Sequence, residues 1–269
     1  MDKTAGRLSG KIAIVTGAGS VGPGWGNGRA TAIRFAQEGA TVLAVDRDLS
    51  SMDQTLELAG DQAVGIRPLT CDVTDEEAVK RLISAITSEM GRIDILVNNV
   101  GAPLPGGPEK LTMQQWQDQI NLNLTSVFLT CKYTLPQMAS QGYGAIVNVA
   151  STSGIRWTGA AQIGYACAKA GVIQFAKVAA VEYASRGVRI NTVVPGQLHT
   201  PLVDAFLAKD QADGDTEALL ARRKARIPMS ITGDGRDTAN AVLFLSSDEA
   251  RFITGTDIVV DGGMSVRCD

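Results

Sequence analysis

Lys11 to Ala40 reads KIAIVTGAGSVGPGWGNGRATAIRFAQEGA, and this stretch decides the fold. It begins with a short β-branched run of the kind that makes a buried parallel strand, and the run stops at Gly17. A glycine-rich loop follows, after which Ala30, Ile33, Phe35 and Ala36 take up helical spacing. The order is therefore strand, glycine loop, helix. A loop with few side chains lets the backbone approach a pyrophosphate, and the start of the following helix supplies free N–H groups and a favourable dipole.

Working outward, TVLAVD is a second strand ending in Asp46, followed by a polar helical stretch. Asp46 lies roughly 20 residues past the glycine loop, where a carboxylate accepts hydrogen bonds from both ribose hydroxyls of NAD and repels the extra phosphate of NADP. Arg47 is adjacent and can soften that preference; a plain turn carboxylate is the alternative for Asp46. The pattern repeats. AVGIRPLTCDV is a third strand ending near Asp72, TDEEAVKRLISAITSEM a helix with Thr74 as N-cap and Glu77 completing a capping box, and RIDILVNNVG a fourth strand. GAIVNVAS, ending at Ser151, VRINTVVPG and TDIVVDGG supply strands five, six and seven. Strands alternating with helices predict an α/β fold, a Rossmann-type doubly wound parallel sheet of seven strands with helices on both faces.

Composition agrees. A chain of 269 residues, 45% hydrophobic and 20% charged, suits one globular α/β domain spanning 1–269. A net charge of −3, with basic residues scattered, gives no case for nucleic acid or an anionic membrane and favours small-molecule work. Cys71, Cys131, Cys167 and Cys268 lie far apart and there is one histidine, so a zinc site is not expected and the cysteines read as reduced thiols of a cytoplasmic protein. The amino terminus, MDKTAGRLSGK, has no apolar core for a signal peptide, and no stretch approaches the roughly 18 apolar residues needed to span a bilayer.

A long helical segment runs from Thr112 to Ser140, with Asn121 and Asn123 inside it although asparagine is a poor helix former. The stripe Leu124, Val127, Phe128, Cys131 reads as core or subunit contact. The chemistry is expected from Ser151 to Lys169, STSGIRWTGAAQIGYACAK, which brings together a hydroxyl, a phenol and an ammonium. Tyr165 and Lys169 are four residues apart and share one helix face. A fixed positive charge beside a phenol favours its ionised form and suits it to acid–base work. An irregular charged segment around 197–230 is expected to form a lid over the crevice at the carboxyl ends of the strands.

These signals converge. The chain resembles the short-chain dehydrogenase/reductase family from about Lys11 to Gly263, on TGAGS with GNG opening the first helix, Asp46, CDV at Cys71 to Val73, NNVG at Asn98 to Gly101, Asn123 in LNLTSVF, Ser151 in NVAST, YACAK, PGQLHTP and ITGTDIVVDGG. The resemblance implies a catalytic set of Asn123, Ser151, Tyr165 and Lys169. Tyr165 would exchange a proton with the substrate oxygen while hydride passes to or from the nicotinamide. Lys169 would lower the phenol pKa and hold the ribose, Ser151 would bind the reacting oxygen, and Asn123 would position a relay water. Cofactor contacts implied are Gly17, Ser20, Gly26, Asn27, Gly28, Asp46, Arg47, Asp72, Val73, Asn99, Gly101, Tyr165, Lys169, Pro195, Gly196 and Thr200. Ser153, Trp157, Gln162 and Gln197 are candidate substrate contacts. No metal is implied.

The glycine loop departs from the family pattern by the insertion VGPGW between Ser20 and Gly26, about five residues. Gly22 and Gly24 offer a competing register to Gly26 and Gly28, and Trp25 either covers the cofactor or packs. Asn98 either serves the nucleotide or ties strands together. His199 reads as a loop or pocket-wall residue, and Arg156 as a solvated loop arginine or a receptor for an anionic group. The expected activity is NAD-preferring interconversion of a small secondary alcohol (polyol, sugar or cyclic alcohol) and its carbonyl, NADP being less favoured. Two rivals stand beside it: an NADPH-linked ketoreductase of the 3-oxoacyl carrier type, and a non-catalytic nucleotide-sensing protein of the same fold. The family likeness also implies a homotetramer through helices at 112–139 and 164–185 and the last strand.

Overall fold

The computed structural model describes residues 6–207 and 213–268. Its strands are β1 (Ile12–Thr16), β2 (Thr41–Asp46), β3 (Ile66–Thr70), β4 (Ile95–Asn98), β5 (Gly144–Val149), β6 (Val188–Pro195) and β7 (Asp257–Val260). They form one seven-stranded sheet in the order β3-β2-β1-β4-β5-β6-β7, and every pair is parallel. The doubly wound sheet expected from the alternation of strands and helices is the fold observed.

Successive residues of a strand face opposite sides, and here both sides are covered. From β1, Ile14 faces one side, where α3 (Glu76–Met90), α5 (Ser126–Gln141) and α6 (Ile163–Ala184) contribute Val79, Ile83, Val127, Val172 and Ala176. Ala13 and Val15 face the other, against Ile33 and Phe35 of α1 (Asn27–Gln37) and Val242 and Leu243 of α8 (Gly235–Ser246). Burial on both faces is why the strands read as continuous Val/Ile runs rather than as alternating polar and apolar residues. Strand order reverses between β1 and β4, whose carboxyl ends open a crevice, the place where such sheets bind ligands.

Three local expectations change. The N-cap of α3 is Asp75, whose carboxylate accepts from the Ala78 N–H at 3.1 Å, rather than Thr74. Thr74 instead donates its N–H and hydroxyl to Asp72, at 2.9 and 2.7 Å, in a tight turn before the helix, so the capping box with Glu77 does not form. The segment after Thr112 is not one α-helix: α4 (Met113–Ile120) passes into a π-turn over Asn121–Thr125 before α5 begins. Thr112 does cap it, in a reciprocal box with Gln115. Arg156 is exposed, as a solvated loop arginine would be, but one of its nitrogens is engaged by backbone. Its Nη1 donates to the carbonyls of Met264 (3.1 Å), Ser265 and Arg267 (3.0 Å), pinning the loop after β5 to the carboxyl-terminal segment.

Candidate active site

The glycine loop leaves β1 at Gly17, whose φ of +65° is open to glycine at little cost. Helix α1 starts at Asn27 with Gly26 as N-cap, no side-chain cap and no acidic residue in its first turn. A side chain at Gly28 would collide with the Gly17 carbonyl, so the helix start lies directly on the loop. The glycines at the helix start are thus Gly26 and Gly28, while Gly22 and Gly24 belong to the inserted loop. That loop is held by the buried Arg29, which donates to the carbonyls of Gly22 (3.1 Å) and Gly24 (2.6 Å), to Thr55 Oγ1 (3.1 Å) and to Gln54. Trp25 packs on the core beside α8, with Arg236 over its ring at 5.1 Å.

Around this loop the remaining nucleotide candidates gather unevenly. Asp46 accepts from the Gly19 N–H at 3.0 Å and the Arg47 N–H at 2.8 Å, which fixes its carboxylate at the end of β2 beside the loop; Arg47 is exposed. Ser20 donates its N–H to the Ser51 carbonyl at 3.2 Å. Asn99 bridges to the Gly17 carbonyl at 3.0 Å. Val73 is buried, and the exposed Asp72 carboxylate is engaged by Thr74. Asn98 is a tie between strands: it donates to Asn148 at 2.9 Å and accepts from Thr130 at 2.7 Å. The group such a loop would hold, a dinucleotide, fits what is present. The α1 N-terminus is uncapped, the glycines leave no Cβ in the way, and the buried Asn27 Oδ1 lacks a hydrogen-bond partner.

The residues expected to carry the reaction come together where β4, β5 and α6 meet. Ser151 lies at the start of the loop after β5, its Oγ accepting from the Ser153 N–H at 3.2 Å. Tyr165 lies on the first turn of α6 and Lys169 one turn on, on the same side. Lys169 is 2% exposed, donates to the Val149 carbonyl at 2.9 Å, and sits 5.7 Å from the centre of the Tyr165 ring. A Cβ on Gly101 would stand 2.6 Å from Asn123 Oδ1 and 2.8 Å from Lys169 Nζ, so that glycine makes room for both. Asn123, wholly buried in the π-turn, accepts from the Ala102 N–H at 3.1 Å and donates to the Gln119 carbonyl at 2.9 Å. Its side chain is thus occupied in holding the loop after β4. A π-turn inside an α-helix often marks a functional position, and here it explains why an asparagine interrupts the helix.

Burial sets the protonation of the pair. Desolvation lowers Lys169 to about 8, so it remains mostly charged at neutral pH. Desolvation also raises the Tyr165 phenol above its ordinary value, with hydrogen bonding from Ser151 pulling the other way. The expectation that the nearby ammonium depresses the phenol is therefore not met in the protein alone: loss of water dominates, and the opposing influence is the Ser151 hydrogen bond.

Ser151, Ser153, Gln162, Tyr165, Pro195, Gly196, Gln197 and Thr200 line one cleft, which Asn27 also borders. Gln162 donates to Ser153 Oγ at 2.6 Å and Gln197 to the Thr158 carbonyl at 2.8 Å, which braces the polar wall. Leu202, Val203 and Leu207 supply the cleft's apolar lining. Trp157 does not join them: the Arg156 anchor turns it to a neighbouring cleft, where it is 70% exposed. His199 donates its N–H to the Gly233 carbonyl at 2.8 Å, and its ring meets Asp204 at 3.3 Å away from the reaction residues. Sequence reasoning missed Arg223, which lies on α7 (Thr216–Ala225), lines the cleft while 6% exposed, and is lowered to about 10 by burial and by Arg226 and Arg222. Within a run of basic residues, nothing marks the one that turns inward.

A doubly wound sheet with a glycine loop at its switch point, and a serine, tyrosine and lysine grouped beside that loop, defines the class of nicotinamide-dependent oxidoreductases. The model for "Enoyl-(Acyl carrier protein) reductase" matches residues 23–265. A 3-oxoacyl-acyl-carrier-protein reductase from Thermotoga maritima is 37% identical over 260 residues, 97% of this chain and all of that one. A 2,5-dichloro-2,5-cyclohexadiene-1,4-diol dehydrogenase from Sphingobium indicum is 38% identical over 265 residues, covering 97% of this chain and 99% of its own. A crystal structure described as a short-chain dehydrogenase/reductase from Burkholderia xenovorans superposes with a TM-score of 0.95 at 66% identity, over 98% of this chain and 100% of that one. The chain belongs to the short-chain dehydrogenase/reductase family. It is an oxidoreductase of the family that uses NAD or NADP, and no helix among its described residues is long and apolar enough to cross a membrane.

Proposed function

We propose that the protein is an NAD-preferring dehydrogenase that interconverts a small secondary alcohol, of polyol, sugar or cyclic type, and its carbonyl. The observation that carries the reading is the placing of Ser151 and Tyr165 on one cleft with Lys169 buried behind the phenol. Asp46 supports NAD over NADP, because its carboxylate stands at the end of β2 where a ribose phosphate would be repelled. The cyclic diol dehydrogenated by the Sphingobium relative supports a small ring or polyol.

In this reading Gly17, Gly26 and Gly28 with the start of α1 hold the pyrophosphate, Asp46 the adenine ribose, and Lys169 the nicotinamide ribose. When bound, the cofactor supplies hydride exchange with the substrate carbon. Tyr165 accepts the hydroxyl proton during oxidation and returns it to the carbonyl oxygen during reduction. Ser151 donates to that oxygen, and a donor fixed there in advance stabilises charge developing on it. Since the Asn123 side chain is spoken for by Ala102 and Gln119, a relay water would be held by the backbone of the π-turn. The segment 197–230 serves as the lid, although residues 208–212 of it lie outside those described. Val178 and Val181, exposed on α6, support association of copies into a homotetramer.

Screening secondary alcohols of varied size with NAD and with NADP, following the absorbance of the reduced cofactor, tests this. Faster reduction of a 3-oxoacyl thioester with NADPH than of any alcohol–ketone pair with NAD supports the second reading instead, the activity of the Thermotoga relative.

A further inference from the structure

Beside the reaction cleft, on the far side of Thr158, lies a second cleft lined by Arg156, Trp157, Arg222, Arg226 and Arg267. Thr158 borders both clefts. No acidic residue is among the described residues lining the second one. The arginines are set by backbone. Arg156 is tied to the carboxyl-terminal carbonyls through Nη1, and Arg226 donates to the Thr158 carbonyl at 3.0 Å, also through Nη1. Among the described residues, these bonds leave Nε and Nη2 of both guanidiniums unengaged. Gly159, with φ +93°, carries no side chain because the Arg226 guanidinium occupies that space.

Each feature points the same way. Planar guanidiniums fixed at one nitrogen present the others for bidentate hydrogen bonding to phosphate or carboxylate oxygens. Arg223 is lowered first by burial and then by the charges of Arg226 and Arg222, so positive charge is gathered on this side of α7. An aromatic ring 70% exposed beside them is a stacking surface for a planar heterocycle.

We propose that this cleft is a second binding site, for a phosphate group carried with a planar ring, the chemistry of a purine nucleotide. Such a group can arrive free in solution, or as the remote handle of a thioester whose reactive end passes Thr158 into the first cleft. The site does not depend on the reading of the reaction, so binding is its test.

Calorimetric titration of the NADH-saturated protein with coenzyme A, with ADP and with pantetheine separates these cases. Coenzyme A and ADP should bind and pantetheine should not, with R226Q weakening binding about tenfold or more, the loss of one charged hydrogen-bonded contact. W157A should weaken binding and keep the phosphate dependence, R226K, which keeps the charge but not the fork, should fall between native and R226Q, and NADH affinity should be unchanged throughout. Coenzyme A binding about tenfold tighter than ADP identifies the handle; equal affinities identify the free nucleotide. No binding of either, binding indifferent to R226Q and W157A, or dissociation of the oligomer by these variants in place of a binding loss overturns the proposal.

Discussion

Lys169 donates to the Val149 carbonyl at 2.9 Å while its ammonium stands 5.7 Å from the centre of the Tyr165 ring, one turn away on the same helix. The lysine is thus anchored to the strand that delivers Ser151, and its charge is held near the phenol at the expense of stability. Burial lowers it to about 8 from 10.5, so between those values the unfolded chain carries a proton that the folded chain has released. Stability accordingly rises with pH through that window, and the cost of the buried charge is fully present below it. Lys169→Met should raise the melting temperature of the cofactor-free protein at pH 7, with the gain shrinking as pH climbs from 8 toward 10.5. A variant that melts lower than the native chain at pH 7 contradicts this.

Asp46 is positioned by the N–H groups of Gly19 and Arg47. Asp46→Ala removes the repulsion against a ribose phosphate and leaves Arg47 beside the site. The ratio of kcat/KM for NAD to that for NADP should fall by about tenfold or more, roughly 1.4 kcal/mol per factor of ten. Equal use of both cofactors by the native chain, or no change in the variant, removes Asp46 from the selection.

Arg29 is 1% exposed and bonds two carbonyls of the inserted loop. Arg29→Met leaves those carbonyls without their donor and should cost about 2 kcal/mol, within the range for hydrogen bonds to a charged group. The KM for NAD should rise as the loop loosens, with kcat less affected. Chemical denaturation and steady-state kinetics read the two effects, and an unchanged KM would show that the insertion does not shape the nucleotide site.

The fold was legible because its signals are local: a β-branched run stopping at Gly17, then glycines, then Ala30 and Ile33 at helical spacing. The grouping of Ser151, Tyr165 and Lys169 was legible for the same reason, since one helix turn and one strand end fix all three. What escaped depends on contacts far apart in the chain. Arg156 meets Met264, more than a hundred positions away, and by that bond Trp157 leaves the reaction cleft. Arg223 turns inward among like-charged neighbours. The Asn123 side chain is consumed by backbone at Ala102, which no spacing announces. The electrostatic misreading was of another kind: the sequence brings Lys169 near Tyr165 but says nothing of how thoroughly both lose water.

Val181 is 81% exposed on α6, with Val178 beside it and Phe128 exposed on α5. In the proposed assembly these residues would be buried between copies. Sedimentation should show a tetramer for the native chain and smaller species for Val181→Asp, with the melting temperature of the variant dependent on protein concentration. A native chain that sediments as a monomer counts against the assembly.

In the proposed reaction the Tyr165 hydroxyl transfers the proton. Tyr165→Phe removes that one oxygen and keeps the ring that packs over Lys169. Binding of NADH, read by its fluorescence, should stay within about twofold of native, while kcat on any alcohol found in the screen should fall by about a thousandfold or more, the scale of a lost acid–base group. Near-native turnover by this variant would contradict the account.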